Sequence, residues 1–138
     1  MALIVDTGVL YATLDRGDEA HKACRELIEG TNERRVLPAP ILPEVDYWVA
    51  KKLGPGPMVA LLQDIQAGAY VVEDVAESDY SRITEIVDRY ADLDVGFVDA
   101  AILAIVERLG EPKLATIDHR HFTVIRPTHV EALELLPG

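Results

Sequence analysis

Short runs of apolar residues alternate along this chain with longer stretches in which apolar residues recur every three or four positions. A short run without a polar face predicts a strand buried on both sides, whereas the longer period predicts a helix with one buried face. The predicted strands are 2–5, 34–37, 69–72, 113–117 and 123–126, with a short closing segment at 131–136. The predicted helices are one beginning near Gly8, then 18–29, 43–53, 58–66, 77–90 and 96–110.

This alternation of strands and helices predicts an α/β fold, namely a three-layer α/β/α arrangement around a mainly parallel central sheet. Right-handed connections would bring the carboxyl ends of the parallel strands to one edge. The length of 138 residues suits a single domain with one core, and no repeat or linker divides it. We therefore expect one domain spanning 1–138.

The stretch 96–110 is the central helix, because apolar residues occupy almost every position around it. Such a helix is normally buried. Asp99 nevertheless lies in its first turn, and an isolated buried carboxylate is costly unless a cation or hydrogen bonds compensate it. The alternative is that Asp99 lies near the surface, where the positive end of the helix dipole favours an acid.

Three further acids fall at the ends of predicted elements. Asp6 ends the first strand, Asp118 ends the strand at 113–117, and Glu44 lies in the first turn of its helix. Together with Asp99 they would face one cleft at the carboxyl edge of the sheet, where open α/β sheets bind ligands. Carboxylates this close repel one another unless a divalent cation lies between them, and oxygen ligands suit Mg²⁺ or Mn²⁺. For Asp6 alone, capping of the following helix is the simpler interpretation.

Composition narrows the class of protein. The chain has 24 Asp and Glu against 13 Lys and Arg, a formal net charge of −11, which is opposite to that of a simple nucleic-acid binder. This acidity fits a protein that binds metal cations or pairs with a basic partner. Cys24 is the only cysteine, so neither an internal disulfide nor a thiolate zinc site is expected. With no membrane span and no basic leader, we expect a soluble cytoplasmic protein.

Several other chemistries find no support. Neither of the glycine-rich phosphate-binding loops is present, and the Asp-Thr-Gly after the first strand lacks the second Asp of aspartate phosphatases. Cys24 lies on an amphipathic helical face and is expected in the core. His119 and His121 are interpreted as solvent-exposed or phosphate-contacting rather than metal-binding residues.

Four fragments, taken in order and spacing, resemble the PIN domain, and more narrowly the VapC-type toxin ribonucleases of bacterial toxin–antitoxin pairs. The resemblance covers nearly the whole chain. The fragments are Ile4-Val5-Asp6-Thr7-Gly8-Val9-Leu10, Leu42-Pro43-Glu44-Val45, Gly96-Phe97-Val98-Asp99-Ala100-Ala101 and Leu114-Ala115-Thr116-Ile117-Asp118-His119-Arg120-His121-Phe122.

The resemblance implies a metal site in which Asp6 and Asp99 are the core ligands and Glu44 and Asp118 complete it directly or through water. It implies Mg²⁺ or Mn²⁺ as cofactor and an endoribonuclease in which a metal-activated water attacks the phosphodiester, leaving a 5′-phosphate and a 3′-hydroxyl. The implied substrates are tRNA or a structured loop of ribosomal RNA.

The resemblance extends to further residues. Thr7 would bind substrate phosphate or orient a water, and Arg120 is a candidate for contact with phosphate. Position 121 often carries an acid in this family, whereas this chain has His121, which removes a fifth carboxylate.

The implied partner is a VapB-type antitoxin, and the acidic charge would favour its basic groups. The helices within 43–66, carrying Tyr47, Trp48 and Met58, are candidates for the antitoxin groove or for the face of a homodimer. A non-catalytic PIN-fold module that binds RNA or protein is the alternative function. A phosphate-accepting receiver-like domain has little support from the spacing of Asp6 and Asp118.

Overall fold

The computed structural model describes residues 1–138, which form five strands and seven α-helices. The strands are β1 (Ala2–Ile4), β2 (Arg34–Pro38), β3 (Val71–Glu73), β4 (Lys113–Ala115) and β5 (Glu134–Leu136). The helices are α1 (Thr7–Leu14), α2 (His21–Gly30), α3 (Ile41–Lys52), α4 (Gly56–Gln66), α5 (Asp79–Arg89), α6 (Phe97–Leu109) and α7 (His119–Phe122). A 3₁₀ turn at Ala91–Leu93 joins α5 to α6.

All the strand pairs are parallel. β2 lies between β1 and β3, with Leu3 opposite Arg35 and Leu37 opposite Val72, and β4 pairs with β5. A bridge between Val5 and Ala115 joins β1 to β4, so the strand order across the sheet is β3-β2-β1-β4-β5.

This order places a topological switch point between β1 and β4. The chain proceeds outward from β1 to β2 and β3, and then returns through α5 and α6 to the other side of β1. Since parallel crossovers are right-handed, the helices of the two halves pack on opposite faces of the sheet. The loops after β1 and β4 therefore diverge and leave a crevice at their carboxyl ends, where ligands bind in folds of this kind.

Helix α6 connects the two parts of the core. Its Ile102 and Val106 pack in the main cluster with β1, β2 and β4, whereas Leu103 and Ala104 pack against α5. The predicted apolar helix at 96–110 is therefore confirmed as buried over most of its length. Gly110 ends it with a backbone φ of 69°, in the left-handed region that glycine adopts without strain. Cys24 is buried in the main cluster, as predicted.

The predicted strand at 123–126 is wrong. The backbone N–H groups of Val124 and Ile125 donate to the carbonyl of His121, which continues the turn of α7 instead of forming a sheet ladder. Ile125 then packs against α5 and α6. The last strand is β5, inside the predicted closing segment, and its Leu136 carbonyl accepts from the N–H of Thr116 at 2.8 Å. None of the helices is long and apolar enough to cross a membrane.

Candidate active site

Asp6 lies at the end of β1 and is the N-cap of α1, so the capping interpretation holds for its geometry. One carboxylate oxygen, Oδ1, accepts from the backbone N–H of Thr7 at 2.6 Å, and Oδ2 accepts from the hydroxyl of Thr116 at 2.8 Å. The residue is only 6% exposed. Burial raises the pKa of Asp6 to about 6, the two hydrogen bonds oppose this, and the charges of Asp99 and Asp118 add to it.

Thr116 connects the ends of β1 and β4. It is fully buried, donates its hydroxyl hydrogen to Asp6, and accepts from the backbone N–H of Asp118 at 3.1 Å. Sequence analysis did not single out this residue. The available signal was its position: Thr116 is a polar residue at the end of an apolar run, two residues before an acid. A hydroxyl at that position can reach a carboxylate at the end of the neighbouring strand.

Asp99 enters the same crevice from the first turn of α6. Its Oδ2 lies 2.5 Å from Nδ1 of His121, and an ionised carboxylate only accepts, so Nδ1 carries the hydrogen. His121 is 6% exposed, and its Nε2 has no hydrogen-bond partner. The prediction that His121 is solvent-exposed is therefore wrong, whereas His119 is exposed, as predicted. The short helix α7 turns the His121 side chain inward, against Asp99.

Asp118 completes a compact group with these two residues. It precedes α7 and its Oδ1 accepts from the N–H of Arg120 at 3.2 Å, while its Oδ2 lies 3.9 Å from Nδ1 of His121. One ligand atom from each of Asp99, Asp118 and His121 lies within 4.8 Å of the other two, close enough to contact a single ion. Asp118 is partly exposed, so the crevice opens to solvent on this side.

Glu44 joins the site through Thr7. The Thr7 hydroxyl donates to Oε1 of Glu44 at 2.6 Å, and the Thr7 backbone N–H is the one that Asp6 accepts. Glu44 lies in the first turn of α3 and is exposed, outside the group formed by Asp99, Asp118 and His121. Gly8, the residue after Thr7, leaves room for the Ile117 side chain, since a Cβ there would lie 3.0 Å from it.

No Lys or Arg lies within salt-bridge distance of Asp6, Glu44, Asp99 or Asp118. The guanidinium of Arg120 also forms no salt bridge, although its backbone N–H contacts Asp118. The four acids thus form a concentrated negative field at the switch point, and their hydrogen-bond donors are hydroxyl, amide and imidazole groups rather than Lys or Arg. Such a site attracts a divalent ion.

A parallel α/β sheet with acids at its switch point defines a class of protein. The PIN domain family matches residues 3–126, and the chain belongs to this family. This confirms the family and the three-layer fold expected from the sequence.

Individual relatives refine the comparison. The chain is 30% identical over 125 residues to Ribonuclease VapC26 of Mycobacterium tuberculosis, covering 91% of this chain and 93% of that protein. Among solved structures, VapC20 of M. tuberculosis, described as a sarcin-ricin loop cleaving toxin, matches with a TM-score of 0.81 at 21% identity, over 94% of this chain and 98% of that one. VapBC2 of Rickettsia felis matches with a TM-score of 0.68 at 18% identity, over 98% of each chain.

Proposed function

We propose that this protein is a metal-dependent endoribonuclease and the toxin of a toxin–antitoxin pair. The observation that carries the proposal is that Asp6, Asp99 and Asp118 lie close together at the switch point without any Lys or Arg to compensate them, and that Thr7 links Glu44 to this group. A structural role does not explain this, since a buried acid such as Asp6 destabilises the fold when it is ionised.

The donor set fits Mg²⁺ or Mn²⁺. Asp6, Asp99 and Asp118 present carboxylate oxygens, the ligands that these ions prefer, and Glu44 would complete the site directly or through water. Nδ1 of His121 is already engaged with Asp99, so the imidazole orients that carboxylate instead of adding a nitrogen ligand. We expect the hydrogen bond from His121 to Asp99 to matter for activity, because His121 stands where related proteins often carry a further acid.

The residues of the chain hold the reacting groups in place. Thr7 and Thr116 orient Asp6, and His121 orients Asp99, so that the carboxylates require little rearrangement. The divalent ion, when bound, neutralises charge on the phosphate and activates water. The water oxygen forms the new bond to phosphorus and the bond to O3′ breaks, which leaves a 5′-phosphate and a 3′-hydroxyl. Thr7 and Arg120 are our candidates for contact with the phosphate.

The relatives support the rest of the proposal. One is named a ribonuclease and another is described as cleaving the sarcin-ricin loop, so structured RNA, tRNA or ribosomal RNA, is the proposed substrate. The VapBC2 match, together with the net charge of −11, supports a VapB-type antitoxin with basic groups as partner. We also propose that residues 1–138 form one domain, that the protein acts in the cytoplasm, and that it is a homodimer.

Tyr47 and Trp48 support the proposed interface on α3 and α4. They are 57% and 41% exposed, and Val59 and Leu62 of α4 are exposed with them. A shallow cleft of about 310 Å³ runs between the two helices. Several exposed aromatic and aliphatic side chains on one surface are typical of surfaces that bind another protein.

The test is cleavage of total bacterial RNA by the purified protein in Mg²⁺, in Mn²⁺ and in EDTA, with the new 5′ ends mapped by sequencing. Asp99→Asn is the inactive variant, because Asn still accepts from His121 but removes a ligand charge. We expect one discrete cut that needs a divalent ion and that the variant does not make. An equal cut in EDTA, or equal cutting by Asp99→Asn, would refute the mechanism. Absence of any cut in either ion would favour the non-catalytic binding module.

A further inference from the structure

An open cleft of about 740 Å³ lies beside the acids, between the start of α3 and the starts of α5 and α6. Its walls include Pro40 and Pro43 on one side and Tyr80, Phe97 and Val98 on the other. The proposed cleavage chemistry makes no use of this surface.

Two aromatic rings in the cleft are exposed without a structural reason. Phe97 is the first residue of α6 and is 47% exposed, and Tyr80 near the start of α5 is 51% exposed. Neither belongs to either buried cluster, and the Tyr80 hydroxyl has no hydrogen-bond partner in the chain. Aromatic rings in an open cleft present flat faces on which a planar ligand stacks.

The cleft is continuous with the acidic site. Glu44 lines it and also accepts from the Thr7 hydroxyl, and the backbone N–H of Thr7 donates to Asp6. Phe97 lies two residues before Asp99 on α6, and side chains two apart on a helix do not face each other, so Glu44 is the residue at which the two sites meet. A ligand in the cleft therefore borders the acidic site at Glu44.

The charges of the cleft exclude phosphate. No Lys or Arg lines it, and its two charged residues are Glu44 and Asp74. A carboxylate repels a phosphate but accepts from the exocyclic amino group of adenine, cytosine or guanine, which uracil lacks. The cleft thus suits a base and not the backbone that carries it.

We propose that this cleft binds an unpaired nucleobase of the substrate, next to the phosphodiester that is cut, with the base stacked on Phe97 and Tyr80. Asp74 favours a base with an exocyclic amino group. The inference rests on the proposed ribonuclease function and deepens it, because it requires the scissile site to lie in a single-stranded loop where a base is free to enter the cleft.

Binding of the base is tested apart from catalysis with nucleosides, which carry no phosphate. Adenosine, uridine and ribose 5-phosphate are titrated into the ¹⁵N-labelled protein in EDTA and followed by amide chemical shifts. We expect adenosine to shift the signals of Phe97, Val98 and Val75 more than uridine does, and ribose 5-phosphate to leave them unchanged.

Variants then connect the cleft to cleavage. Phe97→Ala should lose the adenosine shifts and lower kcat/KM on the mapped RNA by about thirtyfold, the middle of the range for one lost base stack. Phe97→Trp keeps a flat ring and should restore both. Leu93→Ala is the matched control, since Leu93 is 45% exposed, close to the exposure of Phe97, but does not line this cleft. The dispersion of amide signals checks that each variant is folded.

The outcomes separate this inference from the proposed function. Metal-dependent cleavage with no adenosine shifts, and with Phe97→Ala as active as the wild type, overturns the base site and leaves the nuclease standing. Shifts of the same amides by N-acetylarginine amide but not by adenosine also overturn it, and assign the cleft to a basic side chain of a protein partner. Adenosine shifts without cleavage of any RNA support the base site and refute the nuclease.

Discussion

The carboxylates between α5 and α6 and those at the ends of β1 and β4 are the same chemical groups in opposite environments. Asp79 has a side chain only 5% exposed, and the Arg108 guanidinium binds it at 3.1 Å. Glu107 is 8% exposed, and Arg82 binds it at 2.9 Å. Asp6 is buried to the same degree, yet no Lys or Arg reaches it.

The presence or absence of an Arg partner distinguishes the acids that stabilise the fold from those at the proposed active site. Arg82 also bonds to the carbonyl of Arg126, and Arg108 to that of Asp74, so the first group fastens α5 and the C-terminal segment to α6. In the second group, at the ends of β1 and β4, hydrogen bonds from Thr7, Thr116 and His121 orient the carboxylates, but no Lys or Arg compensates their charge. Acids held in this way lower stability and gain their charge partner only when a cation binds.

The largest expected effect is on catalysis at the uncompensated site. Asp99→Asn should lower the rate of RNA cleavage by about three orders of magnitude, or about 4 kcal/mol of transition-state stabilisation. The fold should survive, because the Asn oxygen still accepts from Nδ1 of His121. Single-turnover cleavage of the mapped RNA measures the rate, and urea unfolding measures the stability.

Asp92→Asn is the charge-matched control for that variant. Asp92 is exposed in the 3₁₀ turn. Its substitution by Asn changes the net charge of the protein by the same amount as Asp99→Asn. It should cleave RNA at the wild-type rate. A loss of activity in both variants would indicate an effect of overall charge, and the contrast between the two groups of acids would then not explain catalysis.

The second effect is on stability at the compensated site. Arg108→Met leaves Asp79 with only the N–H of Ala76 as donor, so the free energy of unfolding should fall by about 3 kcal/mol while cleavage at 25 °C is retained. Adding Asp79→Asn to Arg108→Met removes the unpaired charge and should recover about half of the loss. If the double variant is no more stable than the single one, charge compensation is not what stabilises this contact.

The third effect has the opposite sign. Asp6→Asn should raise the free energy of unfolding at pH 7 by about 3 kcal/mol, since the pKa of Asp6 is raised from 3.8 to about 6 and its ionised form destabilises the native state. Below about pH 4 the carboxyl is protonated in both states and this gain disappears. Between pH 4 and 6 the native protein binds the extra proton, so the gain grows as the pH rises through that range.

Urea unfolding of the wild type and Asp6→Asn at pH 4, 5, 6 and 7 in EDTA measures this gain. Thr13→Ala, on the same helix and outside the acidic site, should show a stability difference that does not vary with pH. A stability gain for Asp6→Asn that is constant across these pH values would mean that its cause is packing and not charge.

A fourth, smaller effect is stabilisation by the ion itself. Mn²⁺ at ten times its Kd should add about 1.4 kcal/mol to the stability of the wild type, because it binds the folded acids and not the unfolded chain. Asp118→Asn should show a smaller increase, and Asp92→Asn the full one. Thermal unfolding with and without Mn²⁺ measures this increase in stability without any RNA. An equal increase in the wild type and both variants would mean that the ion binds away from Asp118.

The comparison also shows what sequence could and could not predict. The apolar runs predicted the parallel sheet, and the positions of Asp6 and Asp118 after two of those runs predicted that they would meet. The bond from Thr116 to Asp6 and the inward turn of His121 depend on which strands are neighbours, and the local pattern does not contain the order β3-β2-β1-β4-β5. The segment 123–126 begins with three β-branched residues, which strands favour, but the N–H groups of Val124 and Ile125 donate to the carbonyl of His121 in the turn of α7.

The smallest effect comes from an ion pair that belongs to neither group. Arg25 and Glu29 form a contact at 2.5 Å on α2, with side chains 52% and 61% exposed. Because water already solvates both charges, Arg25→Ala should change the free energy of unfolding by less than about 0.5 kcal/mol and leave cleavage unchanged. Urea unfolding at low and at 0.5 M salt measures it. A cost as large as that of Arg108→Met would mean that the distance between charges, and not their burial, determines what a carboxylate contributes to this fold.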